Sequence, residues 1–388
     1  MKLIIAGGGT GGHLFPGIAV AEEFLARDKA NQVLFVGTER GIEARAVPAA
    51  GYRLELISAA GIRGKGGLSQ IKGAAMMLYG YAQSRKILKS FRPDMVLGVG
   101  GYASLPMVLA ARGMQIPRFI HEQNAIPGQT NRLLGRFANR VFITLEESAR
   151  YFPEETTLLT GNPLRRQILE MLEMLEQNPP SIPPLSKEGG KLPPLQGEGR
   201  GGDGVFHLFI FGGSQGAHAI NMAMLAALPF LKLSRIKLDI VHQTGENDYE
   251  AVTAGYLEAG VEARVTPFIS NMASEYAQAD LIICRAGATT IAEICACGKT
   301  CLFIPFPHAA DDHQRRNAEA LLKKDACFMM LEGELTGKSL AETISTLAQD
   351  PDLVHRTGEA AYCLARLDAA RIIVDEMTKK QIEKEVKV

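Results

Sequence analysis

No excess of either charge marks this sequence: Lys plus Arg and Asp plus Glu both number 42. A chain without a global field has no general attraction for nucleic acid, so any charged partner must be recognised by a local patch. Nucleic acid is not expected as a partner. Long apolar runs are missing too, and no window approaches the ~20 consecutive apolar residues of a membrane span. The opening MKLIIAGGG holds too short a run for a secretory signal and reads as a buried strand. The expectation is a cytoplasmic protein that can still lie on a membrane. Cysteine is sparse, with six residues (Cys284, Cys295, Cys297, Cys301, Cys327, Cys363) in apolar surroundings, no Cys-x-x-Cys and no matching His spacing for zinc. They read as buried free thiols of a reducing compartment, not as a metal site.

What is present fits a soluble α/β protein. The 388 residues, 46% hydrophobic and 22% charged, suffice for two domains with separate cores. Short apolar runs at Leu3–Ala6, Val33–Val36, Leu54–Ile57, Met95–Leu97, Phe119–Ile120 and Val141–Ile143 alternate with helical stretches. That is the signature of a parallel sheet covered on both faces, whose ligands sit at the carboxyl ends of the strands. Residues 178–204 interrupt the pattern with six Pro, seven Gly and a near-repeat, PPLSKEGG then PPLQGEGR. Such a segment cannot bury enough to offset its ordering entropy and reads as a flexible insert. The alternation then restarts, with runs at His207–Phe211, Leu238–Val241, Arg264–Val265, Leu281–Cys284 and Cys301–Ile304. Two Rossmann-like domains, 1–163 and 205–350, are expected to face each other across a cleft. Residues 351–388 read as helices packing back on the first domain.

Gly-rich turns follow several strands. Gly7 to Gly12 satisfies GxGxxG, with Glu39 after the next strand where a dinucleotide-binding domain keeps its ribose carboxylate. Alone this pattern is weak, and a dinucleotide-dependent oxidoreductase stays open on it. The loop ends in His13, beside the start of a helix, where an imidazole meets an anion or a sugar hydroxyl; a structural histidine is the plainer alternative. Gly98 to Ser104 (GVGGYAS) and His121 to Gly128 (HEQNAIPG) add polar strand-end loops suited to a broad polar substrate. In the second half, Cys284 to Glu293 (CRAGATTIAE) reads as strand, turn and helix start. A phosphate at that helix start with Glu293 on a ribose, or a Thr290–Glu293 capping box, both fit the spacing. His308, Asp311, Asp312 and His313 suggest a metal, but hydroxyl-binding groups such as Gln314 and Asn317 account for that loop without one. Between Arg63 and Arg92 seven basic residues stand with no acidic one, interleaved with apolar side chains. A helix resting on an anionic bilayer and an ordinary helix with a solvated basic face both suit it.

Taken together, GGGTGGH, GGYAS, HEQN, TGNPLR, GGSQGA, HQTGE, PFISNM, RAGATT..E and DxHQxxNA resemble, in order and spacing, the bacterial peptidoglycan glycosyltransferases of the MurG family. The resemblance covers nearly the whole chain apart from the 178–204 insert, which is not part of the family pattern. It implies a GT-B fold and inverting transfer of N-acetylglucosamine from UDP-GlcNAc to the 4-hydroxyl of the MurNAc in lipid I. The product is lipid II, for cell-wall biogenesis, cell shape and cell division. It implies His13 as the base, and no metal or other cofactor. For UDP-GlcNAc it implies Thr10, Gly11, Gly12, Asn124, Arg165, Ser214, Ile269, Gly287, Ala288, Thr289, Thr290, Glu293 and Gln314. Among these, the Ile269 backbone would meet uracil, Glu293 the ribose, Gly287 to Thr290 the diphosphate with Ser214 and Arg165 near it, and Gln314 the sugar hydroxyls. On the acceptor and membrane side stand Gly101, Tyr102, His121, Glu122, Arg63, Lys65, Lys72, Met76, Met77 and Tyr79. A polyprenol-linked acceptor further implies work at the cytoplasmic face of the membrane, on an anionic surface, with other cell-wall synthesis proteins as further partners. A UDP-GlcNAc 2-epimerase, or a transferase acting on another lipid, remains the alternative within this fold.

Overall fold

The computed structural model describes residues 1–39, 41–59, 67–177, 204–213 and 215–385. The expected contacts Arg63, Lys65 and Ser214, and the insert apart from Gly204, lie outside the described residues, as does the side chain of Lys72. The chain divides into two units, Met1–Arg165 with Arg366–Val388, and Arg166–Ala365.

The first unit runs β1 (Lys2–Ala6), α1 (Gly11–Arg27), β2 (Gln32–Gly37), α2 (Glu43–Ala49), β3 (Leu54–Leu56), α3 (Gly67–Phe91), β4 (Met95–Gly98), α4 (Ser104–Gly113), β5 (Arg118–Glu122), α5 (Gln129–Gly135), β6 (Arg140–Ile143) and β7 (Thr157–Leu159). The strands form one parallel sheet in the order β3-β2-β1-β4-β5-β6-β7. Side chains alternate across a strand, so a sheet covered on both faces needs continuous apolar runs. Here Ile4, Val96, Ile120 and Val141 pack one way with Met107, Val108 and Leu88 from α4 and α3. Leu3, Phe35, Leu97 and Phe119 pack the other way with Leu14, Val20 and Phe24 of α1. The edge strand β7 was not expected, because three residues are too few to show a period.

The second unit contains α6 (Arg166–Gln177), β8 (Val205–Phe211), α7 (His218–Ser234), β9 (Lys237–Gln243), α8 (Tyr249–Ala259), β10 (Arg264–Thr266) and α9 (Met272–Gln278). It continues with β11 (Leu281–Cys284), α10 (Ala288–Ala296), β12 (Thr300–Phe303), α11 (His313–Leu322), β13 (Phe328–Met329), α12 (Gly337–Gln349) and α13 (Pro351–Tyr362). Its parallel sheet has the order β10-β9-β8-β11-β12-β13. Five cysteines are buried and free, whereas Cys363 is exposed, contrary to the expectation for all six. Burial pushes the Cys295 and Cys327 thiols up to about 12, which keeps them as inert core residues.

The C-terminal stretch is not one block packing back on the first domain. Helix α13 stays with the second unit: Asp350 caps it through Leu353 N at 2.9 Å, and the Thr300 hydroxyl donates to Val354 O. Gly358 approaches the Gly298 carbonyl so closely that a Cβ there would sit 2.4 Å from it. Only from Arg366 does the chain belong to the first unit, where α14 (Ala369–Glu385) adds Ile373, Val374 and Met377 to the core beneath α1.

Candidate active site

His13 stands in the first turn of α1, half-buried. Its Nδ1 lies 2.9 Å from Gln123 Oε1, while Gln123 Nε2 donates to the Val99 carbonyl at 3.0 Å. A carbonyl only accepts, so Val99 fixes which end of the amide is which, and His13 Nδ1 must be the donor. The neutral ring then carries its lone pair on Nε2. Burial pushes the His13 pKa below its ordinary 6.5, opposed by the Gln123 hydrogen bond and the Glu43 charge. The imidazole is therefore neutral near pH 7, with a fixed tautomer and a free basic nitrogen, as a general base requires. Space for the ring comes from Gly100, where a Cβ would meet His13 Nδ1 at 2.9 Å.

The main-chain donors of Gly7, Gly8 and Gly9 are already used. Gly7 N donates to Val36 O at 3.0 Å, Gly8 N to Gly100 O at 3.3 Å and Gly9 N to Glu43 Oε2 at 2.7 Å. Glu43 is 1% exposed and also accepts from Thr38 N and the Thr38 hydroxyl, at 2.9 and 3.0 Å. A side chain at Gly8 would overlap this carboxylate, and one at Gly101 would strike Gly8 O at 2.4 Å. The loop is thus a main-chain wall stapled by a buried carboxylate. An anion held by Gly7 to Gly9 would meet Glu43, so these residues are not the phosphate cradle their pattern suggests; Glu39 is exposed.

His121 and Glu122, expected to face the acceptor, are buried at 0% and 1% exposure. His121 accepts from Gln123 Nε2 at 3.1 Å and reaches Gly161 O at 3.3 Å, and burial pushes its pKa down to about 4. Glu122 accepts from Asn124 N, Asn131 Nδ2 and Gly128 N. Both hold the HEQN loop in shape. Asn124 is half-buried, while Tyr102 and Thr10 are exposed, and the Thr10 hydroxyl makes no cap. The Arg165 guanidinium lies 5.7 Å from the Phe15 ring centre, close to the start of α1. On α3, Leu78 and Tyr79 are 73% and 61% exposed, with Met76 and Met77 half-buried.

In the second unit the turn after β11 leads into α10, whose N-cap is Gly287. Ala288, Thr289 and Thr290 therefore occupy the first turn, so Thr290 is no cap and the capping-box alternative fails. A helix start of this kind presents main-chain donors. The turn is braced from behind: Asn317 Nδ2 donates to Ala286 O at 3.2 Å, and Arg285 Nη1 donates to Ile304 O at 3.0 Å. Asn317 is accordingly a structural residue, not a hydroxyl ligand. Glu293, 1% exposed, accepts from the Tyr276 hydroxyl at 3.2 Å, so it lies beneath the surface where a ribose contact was expected. Gln314 Oε1 accepts from Phe306 N at 3.0 Å, which turns its amide nitrogen outward. His313 Nδ1 is occupied by Ala310 O at 2.7 Å. Asp311 and Asp312 before it are left-handed, at φ 52° and 54°.

Ile269 N, expected to meet a base, is held by Gln243 Oε1 at 3.0 Å, while Gln243 Nε2 donates to Gly213 O at 2.9 Å. Behind it, buried His242 contacts Asn221 Oδ1 at 3.0 Å and the Tyr256 hydroxyl at 3.1 Å.

Residues 3–143 match the Glycosyltransferase family 28 N-terminal domain, and residues 207–372 its C-terminal domain. A protein of Pelobacter propionicus is 69% identical over 387 residues, covering 97% of this chain and 99% of its own length. It is named UDP-N-acetylglucosamine--N-acetylmuramyl-(pentapeptide) pyrophosphoryl-undecaprenol N-acetylglucosamine transferase. The crystal structure of MurG from Acinetobacter baumannii aligns with a TM-score of 0.74 at 30% identity, covering 97% of this chain and 99% of that one. The chain belongs to glycosyltransferase family 28, in its MurG group. A UDP-GlcNAc 2-epimerase from Neisseria meningitidis aligns with a TM-score of 0.64 at 15% identity over 98% of this chain, a likeness of fold alone.

Within the family 28 site, three residues escaped the reading of the sequence. Glu43 could have been found from Gly8, Gly37 and Gly41, which all leave room for its one side chain. Gln123 stands in the HEQN motif, and Gln243 in HQTGE, but nothing in a one-dimensional pattern tells which polar residue orients another.

Proposed function

We propose that this chain transfers N-acetylglucosamine from UDP-GlcNAc to the 4-hydroxyl of the MurNAc in undecaprenyl-pyrophosphoryl-MurNAc-pentapeptide, lipid I, giving lipid II and UDP in peptidoglycan synthesis. The observation that carries the chemistry is His13, neutral and with Nε2 left basic by the Gln123 contact. The acceptor oxygen attacks C1 from the face opposite UDP, His13 Nε2 takes its proton, and the bond from C1 to the β-phosphate oxygen breaks with inversion. Charge growing on the leaving diphosphate meets main-chain donors at Gly287 to Thr290 and the cation of Arg165. Gln314 donates its amide to a sugar hydroxyl, and Asn124 with Thr10, Gly11 and Gly12 bounds the sugar. Uracil is read at Ile269, its edge exchanging with the Gln243 amide that holds the Ile269 N–H. Glu293 reads the ribose from under the start of α10.

The acceptor's lipid keeps the enzyme at the cytoplasmic face of the cell membrane. No described helix is long and apolar enough to cross it. Support for peripheral binding comes from α3, which has no acidic residue and exposes Leu78 and Tyr79. Tyr102 and Gly101 bound the acceptor.

The test is conversion of membrane-borne lipid I and UDP-GlcNAc to lipid II, with UDP release followed by a coupled assay. Release that requires lipid I supports this reading. Release that needs another lipid, or epimerised UDP-sugar formed without any acceptor, would replace it by one of the other activities of this fold.

A further inference from the structure

A cavity of about 520 Å³ opens on the first unit, far along the chain's fold from His13, lined by Arg112, Gln115, Pro117, Arg118, Asn139 and Lys380. Arg118 is the first residue of β5, and Asn139 immediately precedes β6. The cavity therefore sits at the amino ends of the strands, whereas His13 follows the carboxyl end of β1 in the same parallel sheet. Among the described residues, every charged side chain in its lining is a cation.

The position of Arg118 is costly unless an acceptor enters. Arg118 Nε is buried and has no hydrogen-bond partner, and Arg118 Nη1 reaches only the Ile116 carbonyl, at 3.5 Å. An unpartnered buried donor carries the unrecovered cost of its desolvation. Arg112 adds a second positive charge close enough to depress the Arg118 pKa along with burial. The Arg112 guanidinium carbon lies over Phe137, 3.8 Å from its ring centre, a cation–π contact that helps fix the group. Asn139 Oδ1 accepts from Arg118 N at 2.9 Å, so its amide nitrogen is turned away from that backbone as a further donor. Planar guanidiniums and an amide donor together match the several acceptor oxygens and multiple charge of a phosphate.

We infer that this cavity is an anion site that takes a phosphate group, separate from the His13 region and independent of the reaction proposed above. The phosphate is either free or part of a lipid head group, and the two sources are told apart by the same variants. Inorganic phosphate is titrated calorimetrically, at low ionic strength, into the full chain, into Arg118→Gln and into the pair Arg112→Gln with Lys380→Gln. Flotation is measured with vesicles of equal parts phosphatidylglycerol and phosphatidylcholine, and of phosphatidylcholine alone. The inference expects phosphate affinity to fall about tenfold or more in both variants, since each removes at least one charge-assisted hydrogen bond, and Arg118→Lys to restore part of it. If flotation with the anionic vesicles falls in parallel, the source is a lipid head group; if flotation is unchanged, it is free phosphate. Should Arg118→Gln fail to fold, the Arg112 and Lys380 pair decides alone. Equal phosphate affinity in the variants and the unaltered chain, or no binding by the unaltered chain, overturns the site.

Discussion

The turn after β1 and the turn after β11 share a backbone plan, a buried parallel strand running through a Gly-containing turn into a helix, yet they are braced in different ways. After β1, Gly7, Gly8 and Gly9 give their N–H groups to Val36, Gly100 and the Glu43 carboxylate. After β11, the neighbours brace the turn through its carbonyl, Asn317 to Ala286 O, just before the start of α10. A Gly-rich turn is therefore no phosphate site by composition. What decides is whether a carboxylate of the protein already occupies the position an anion would take. In the first unit it does, and the functional group becomes the side chain that follows, His13.

Breaking the staple should have the largest effect. Glu43→Ala leaves Gly9 N and Thr38 N without their acceptor in a buried pocket, with an expected loss of about 2–4 kcal/mol in denaturant unfolding. UDP affinity should stay within about twofold, since the nucleotide is assigned to the other unit; a large loss of UDP binding would erase the distinction between the two turns.

Acid should act on both units alike. His121 in the first and His242 in the second both have pKa values pushed down to about 4 by burial. Between there and 6.5 the unfolded chain binds more protons than the folded one, so stability falls as pH drops through that window. Each histidine contributes up to about 3 kcal/mol of that loss by pH 4. Proton uptake on unfolding, measured across the window, checks the sign; uptake near zero would mean that neither ring is buried neutral.

Glu293→Gln keeps the shape beside Tyr276 but removes the charge under α10. Calorimetry should show UDP binding weakened about tenfold, with His13 chemistry preserved once the donor is saturating. A smaller effect is expected from Gln123→Glu. A carboxylate accepting from His13 Nδ1 favours the imidazolium, so the acid limb of kcat/KM should move up by about one pH unit. A downward move would contradict the assigned hydrogen bond.

Much of the fold was legible because sheets covered on both faces force continuous apolar runs: Leu281–Cys284 was located to the residue. The short edge strands Thr157–Leu159 and Phe328–Met329 carry no such constraint and were missed. The C-terminal crossover was placed too early, since the helical pattern of 351–362 says nothing about which core it serves; the close approach of Gly358 to Gly298 does. At the site, residues on the Gly-rich turns could be named from the motif, but their directions could not. His121 and Glu122 are expected as acceptor contacts and are buried, because a polar residue at a strand end can serve the loop instead of the ligand. Glu43 and Gln123 act through partners 34 and 110 residues away, which no local pattern encodes.

The central claim is that the first turn does chemistry and the second holds the nucleotide. It is tested most directly by measuring kcat at saturating UDP-GlcNAc and lipid I, and the UDP dissociation constant, for His13→Ala against the unaltered enzyme. The account predicts a fall in kcat of about 10²–10⁴-fold with UDP affinity within about twofold. Unchanged kcat, or a loss of UDP affinity that accounts for the lost activity, would contradict it.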